Sequence, residues 1–121
     1  MKKAKGYKDD EREVYPISIR VAKNIKRLMK INGIERKKDL AKMTENSNGF
    51  VSQVLSGKRN ISLENLARFA DALNVPACVL VNEEHYTQED LEFLVSFHKA
   101  VKERNKKALR RVRSTRNVVN K

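Results

Sequence analysis

The 121-residue sequence is poor in several residue types, and each shortage excludes a class of protein. Its one cysteine, Cys78, cannot form an intramolecular disulfide, and neither histidine has zinc-ligand spacing to it. The sequence contains no run of about 18 apolar residues, the length needed to span a membrane. Its N-terminal segment also lacks the apolar stretch of a secretory signal peptide. We therefore expect a cytoplasmic protein with no membrane partner.

The sequence also lacks the motifs of common catalytic and cofactor sites. The stretch SGKRNIS, residues 56–62, has a Gly-Lys pair but neither the upstream glycine nor the hydroxyl residue after lysine that a phosphate-binding loop needs. Scattered serine, histidine and aspartate residues do not indicate a triad without geometry. We expect a protein that is not an enzyme and has no metal and no small-molecule cofactor.

Positive charge is abundant. The 27 lysines and arginines exceed the 15 acidic residues by 12, and the isoelectric point is about 10. Such a charge favours a polyanionic partner, either nucleic acid or an anionic membrane surface. A basic protein without such a partner remains an alternative, because charge alone affects solubility and nonspecific binding but does not determine fold.

Apolar residues recur at three- and four-residue steps, which predicts helices, and no stretch shows the alternation of a strand. Ser18 is the expected N-cap of a first helix that ends near Gly33, and a second helix is expected over residues 36–44. Ser47 should cap a third helix that stops at Gly57, and Ser62 should cap a fourth. A short helix should then begin at Pro76, and a long helix at Thr87.

The apolar stripes predict which helix faces are buried. The first helix should bury Val21, Ala22, Ile25, Leu28 and Met29. The third should have Phe50, Val51, Val54 and Leu55 on its apolar side, and the fourth should bury Leu63, Leu66, Ala67, Ala70 and Leu73. The sequence therefore predicts a small all-α core with a strongly cationic surface.

The second and third predicted helices are short, and a polar turn joins them. Lys58 and Arg59 directly follow the glycine that ends the third helix. This pattern is typical of a helix-turn-helix, in which the apolar side anchors the third helix to the core. Small and amide side chains on its other side can reach base edges in a major groove about 12 Å wide.

The stretch DLAKMTENSNGFVSQVLSGKRNISLENLARFADALNVP, residues 39–76, resembles the lambda-repressor-like, or Cro/Xre-type, helix-turn-helix DNA-binding family. The matching pieces are Leu40-Ala41, Ser47, the Gly57–Ser62 segment and the helix from Leu63 to Val75. The resemblance implies a compact five-helix DNA-binding domain over residues 17–82. A flexible tail (residues 1–16) would precede it, and a C-terminal helix with a basic tail (residues 83–121) would follow.

The resemblance also implies site residues by position. The implied base-reading residues are Ser47, Asn48, Gly49, Phe50 and Gln53. The implied phosphate-contacting residues are Arg36, Lys37, Lys58, Arg59 and Asn60. Asn48 and Gln53 could instead be ordinary solvated residues. The sequence departs from the family in a longer link before Leu40, in Glu45 where the family often has glycine, and in Ile61 where proline is frequent. Gly49 also costs a helix about 1 kcal/mol relative to alanine.

We expect a nucleoid-associated regulator that binds double-stranded DNA as a homodimer on an inverted repeat, most simply as a repressor; activation is equally compatible. The C-terminal helix can pack on the domain, pair two subunits, or both. Its candidate interface residues are Leu91, Leu94, Val95, His98 and Val101. The alternatives are an antitoxin or anti-regulator that binds a protein partner through this helix, and an RNA- or nucleoid-binding protein that uses the basic tail.

Overall fold

The structure, a computed structural model, describes residues 15–82 and 86–119, and the side chains of the last helix as far as Val112. These residues form six α-helices and no strand, which confirms the all-α prediction. None of these helices is long and apolar enough to cross a membrane. Most of the predicted N-terminal tail, and residues 83–85, lie outside the described part. The helices are α1 (Pro16–Ile31), α2 (Lys37–Thr44), α3 (Asn48–Leu55), α4 (Leu63–Leu73), α5 (Ala77–Val81) and α6 (Gln88–Val119).

Helix α1 begins earlier than the sequence predicted. Pro16 is its first residue and Tyr15 its N-cap, so the prediction of Ser18 as the N-cap is wrong. Proline has no amide hydrogen and a fixed φ, so it starts a helix ahead of the next hydroxyl residue. Ser18 is instead buried in the first turn, where its Oγ donates to Oδ1 of Asn60 at 3.2 Å. This bond ties the start of α1 to the loop that follows α3.

The boundaries of α3 agree with the sequence prediction. The Oγ of Ser47 accepts a hydrogen bond from the amide of Phe50 at 3.1 Å, so Ser47 caps the helix as expected. Gly57 follows the helix with a φ of +78°, a conformation that side chains rarely adopt. A Cβ on Gly57 would also lie 3.3 Å from Cγ1 of Ile19, so a side chain there would require α1 to shift by a few tenths of an ångström.

All six helices contribute side chains to the core. The predicted buried face of α1 is confirmed, and so is that of α3 except for Phe50, which is half-buried. The predicted face of α4 is partly wrong, because Leu63 is 83% exposed and Ala67 is exposed. Phe69 is fully buried in their place, beside Ala70 and Leu73. Both faces satisfy helical spacing, but burying an aromatic ring removes more apolar area from water than burying an alanine.

Helix α6 packs on its own domain through its first part. Thr87 caps it as predicted: its Oγ1 accepts from the amide of Asp90 at 3.0 Å, while its own amide donates to Oδ2 of Asp90 at 3.1 Å. Leu91 and Val95 are each 3% exposed and belong to the core. Of the candidate interface residues, these two therefore pack on the domain. The other three, Leu94, His98 and Val101, are half-buried. A dimer interface on α6 would have to use side chains other than Leu91 and Val95.

A lysine fixes the direction of α6 relative to α4. The Nζ of Lys102 donates to the main-chain oxygen of Asp71 at 2.6 Å and to Oδ1 of Asn74 at 3.0 Å. It also lies 3.2 Å from the carboxylate of Asp71. The carbonyl end of a helix carries partial negative charge, so an ammonium group is stabilising there. The same Asn74 donates to Oδ1 of Asn32 at 2.9 Å, which links the ends of α1 and α4.

Candidate nucleic-acid interface

Helix α3 is anchored on one side and open on the other. Val51, Val54 and Leu55 are at most 5% exposed and hold the helix on the core. The opposite side presents polar or small residues, namely Ser47, Asn48, Gly49, Gln53 and Ser56, all exposed. The structure therefore places four of the five predicted base-reading residues on one outward surface. The fifth, Phe50, is half-buried against the core.

A polar network holds the turn before α3 in place. The Nδ2 of Asn46 donates to Oγ1 of Thr44 at 3.0 Å and to Oδ1 of Asn65 on α4 at 3.2 Å. Thr44 is 1% exposed and donates to the main-chain oxygen of Leu40 at 2.9 Å. A buried hydroxyl without partners would be costly, so these bonds favour one turn geometry. They orient α3 relative to α2 and α4.

Three side chains form a contact on one flank of α3. The Nη1 of Arg59 donates to Oε1 of Gln53 at 3.0 Å, and its guanidinium lies 5.0 Å from the centre of the Phe50 ring. Arginine only donates hydrogen bonds, so Gln53 turns its carbonyl oxygen towards Arg59. The amide nitrogen of Gln53 is thereby oriented to donate to an acceptor such as a purine N7. Stacking on Phe50 also restricts the guanidinium before any ligand binds.

Lys37, a predicted phosphate-contacting residue, lies on the opposite flank of α3. The Nζ of Lys37 lies 3.4 Å from Oγ of Ser52, while Nε of Arg36 lies 3.5 Å from the carboxylate of Asp39. All of these groups are at or near the surface. On the loop after α3, Lys58 is exposed, and Asn60 uses its carbonyl oxygen to hold Ser18. The predicted phosphate-contacting residues thus lie on both sides of α3.

Sequence reasoning missed part of this surface. Ser52 and Ser56 of α3 line a concave surface together with Lys26 and Lys30 of α1. These two lysines were not among the predicted site residues, because no local pattern shows that α1 runs beside α3. In the described ranges, no group of three histidine, cysteine or acidic residues could hold a metal ion. The chemistry available at this surface is therefore hydrogen bonding and positive charge.

Comparison with known proteins gives one match. The family model described as Helix-turn-helix matches residues 25–80, which run from the middle of α1 to α5. No curated protein and no solved structure matches the chain. The matched segment contains α2, the turn and α3, together with the loop that carries Lys58 and Arg59.

Proposed function

We propose that this protein is a sequence-specific transcriptional repressor, because its residues 25–80 match the model of a helix-turn-helix family, a DNA-binding fold of regulators. Helix α3 enters the major groove and reads bases through Asn48, Gly49 and Gln53. Phosphates are contacted from both flanks of α3. Repression follows because the bound protein excludes polymerase from the same DNA. As a DNA-binding protein it acts at the nucleoid, in the cytoplasm.

One observation supports this proposal more than any other. The exposed face of α3 is a polar strip between cations, with Lys37 beside Ser52 on one flank and Arg59 beside Gln53 on the other. A helix in the major groove meets base edges in the middle and a phosphate backbone on each side. A solvated helix without a ligand has no need of cations held on both of its flanks.

The decisive experiment is selection of bound DNA from a random pool. The wild-type protein should select a short inverted repeat, and Gln53→Ala should lose preference at one position in each half-site, by roughly 1–3 kcal/mol. Gln88→Ala is the matched control, because Gln88 lies exposed on α6 and bonds to Glu92 rather than to the α3 surface. A wild-type pool without a consensus, or an identical consensus for all three proteins, would contradict sequence-specific reading.

The homodimer is also part of the proposal. Readers of this type bind half-sites about 34–36 Å apart, which requires two copies in fixed orientation. With Leu91 and Val95 in the core, the exposed apolar side chains of α6 are better placed to pair. Phe93 and Phe97 are 67% and 54% exposed, and their rings stack at a centroid distance of 6.1 Å. Light scattering should show that the wild-type protein is a dimer and the Phe93→Ser/Phe97→Ser variant a monomer. A wild-type protein that binds the selected DNA as a monomer would contradict the proposed homodimer.

The basic end of the chain favours an auxiliary contact with nucleic acid. Residues 102–121 hold nine lysines and arginines and one acid, or eight of the twelve net positive charges. Among the described side chains, Arg104, Lys106, Lys107, Arg110 and Arg111 are all exposed. Replacing Lys106, Lys107, Arg110 and Arg111 by glutamine should weaken binding to all DNA sequences equally and leave the selected consensus unchanged. Loss of the consensus would favour the alternative of a protein that binds nucleic acid mainly through its tail.

A further inference from the structure

A groove runs beside α3, between that helix, α1 and the link from α1 to α2. Its volume is about 780 Å³. Met29, Ile34 and Leu55 form an apolar floor, since two of them are at most 7% exposed and the third is packed against the core. The exposed ammonium groups of Lys26, Lys30 and Lys37 stand around it. The groove therefore combines apolar contact surface with a cationic rim.

The groove adjoins the reading surface on one side only. A helix turns about 100° per residue, so Ser52 and Gln53 lie on opposite flanks of the outward face, with Gly49 and Ser56 between them. Ser52 and Ser56 line the groove, and Lys37 reaches Ser52 across it. Gln53 faces the other way, towards Arg59. The two flanks of α3 thus meet two separate groups of cations.

The chemistry of the groove matches one strand of a DNA backbone. A sugar-phosphate chain alternates apolar deoxyribose faces with charged phosphates, and the groove offers an apolar floor with ammonium groups above it. The major groove has one such backbone on each side. The loop with Lys58 and Arg59 can meet only one of them, since it lies on the Gln53 flank.

We infer that this groove holds the backbone of the second strand, with Lys26, Lys30 and Lys37 contacting its phosphates. This inference rests on the proposed function and adds two DNA-binding residues on α1. Among the described residues that line the groove, Glu35 is the only acid, and it opposes the binding of a phosphate. Removing that charge should therefore have the opposite effect from removing a lysine.

The test is the salt dependence of binding to the DNA that the wild-type protein selects, between about 50 and 200 mM salt. Lys26→Gln/Lys30→Gln should lower the slope of log affinity against log salt by about 3–4, since the proposed homodimer loses four phosphate contacts and each removes about 0.9. Binding should fall at least about tenfold while the consensus stays unchanged. Glu35→Gln should raise affinity a few-fold. The matched control, Lys42→Gln/Lys99→Gln, removes two exposed charges outside the groove and should leave the slope close to that of wild type.

Ethylation of single phosphates supplies a second readout. In the wild type, modified phosphates that block binding should lie on both strands of each half-site. In Lys26→Gln/Lys30→Gln, those on one strand should lose their effect. A slope equal to that of the control, or weaker binding by Glu35→Gln, would overturn the inference. Failure of the proposed function looks different, because then the wild-type protein selects no consensus and Gln53→Ala changes nothing.

Discussion

Gly49 offers the sharpest prediction, because stability and DNA binding should respond to its replacement in opposite directions. It is the second residue of α3, and a Cβ built there would have no atom within 4 Å. Its φ lies outside the left-handed region, so alanine is not strained there. Gly49→Ala should therefore stabilise the protein by about 0.5–1 kcal/mol, through helix propensity and a less flexible unfolded chain. The melting temperature should rise by roughly 2–6 °C.

The same methyl group should weaken DNA binding. Gly49 lies at the centre of the outward face of α3, between Ser52 and Gln53, where the proposed function brings base edges closest. A side chain there would hold the helix away from the groove floor and lengthen the bonds of its neighbours. We expect affinity for the selected DNA to fall about tenfold, or about 1.4 kcal/mol. Thermal melts followed by circular dichroism and titrations by fluorescence anisotropy measure the two effects on the same sample.

Gly33→Ala is the control for the stability half of this reasoning. A Cβ at Gly33 also meets open space, but its φ is +74°, so alanine should destabilise the protein by about 1 kcal/mol. If Gly49→Ala melts below the wild type, the helical conformation assigned to Gly49 is wrong. If it is more stable and binds the selected DNA as tightly as wild type, Gly49 does not lie against the DNA.

Three further variants test single contacts. Arg59→Lys keeps the charge but loses the planar group over Phe50 and the bond to Gln53; affinity should fall about 5- to 30-fold with little change in salt slope, whereas an unchanged affinity would show that charge alone matters. Lys102→Met should lower the free energy of unfolding, measured in urea, by about 1 kcal/mol, because the end of α4 loses its cation. Lys99→Met is the control, and equal effects of the two changes would refute a stabilising role for the contact between Lys102 and α4. Glu45→Asn should raise stability by about 0.5–1 kcal/mol, because asparagine tolerates the φ of +58° found there; a lower melting temperature would show that Glu45 makes an unrecognised stabilising contact.

The helices could be predicted from the sequence because their signals are local. Ser47, Ser62 and Thr87 each cap the helix that follows, as their position before an apolar stripe indicates. Where two local signals compete, the sequence does not show which of them determines the helix start or the buried face. Pro16 displaced Ser18 as the start of α1, and Phe69 is buried on α4 where Leu63 and Ala67 were expected.

The site could be predicted only in part, because its details depend on contacts distant in sequence. The outward position of Gln53 follows from helical spacing, whereas its bond to Arg59 depends on how the loop after α3 folds back. Asn46 is an ordinary turn residue in sequence, yet it connects the turn to Asn65, nineteen positions away. The groove beside α3 joins Lys26 and Lys30 to Ser52, and nothing in the sequence places α1 beside that helix.

Several locally unfavourable features of the described residues lie at the surface assigned to DNA. Gly49 weakens α3, and Glu45 has a left-handed backbone conformation that favours glycine or asparagine. Arg36, Lys37 and Lys38 are exposed at the positive end of α2, where Asp39 is the acid of the first turn. On α4, by contrast, a serine caps the start, a glutamate occupies the first turn, and asparagine adopts the left-handed conformation at the end. The proposed function accounts for these residues of α2 and α3, because bound phosphates would neutralise the cations and base edges would occupy the space beside Gly49.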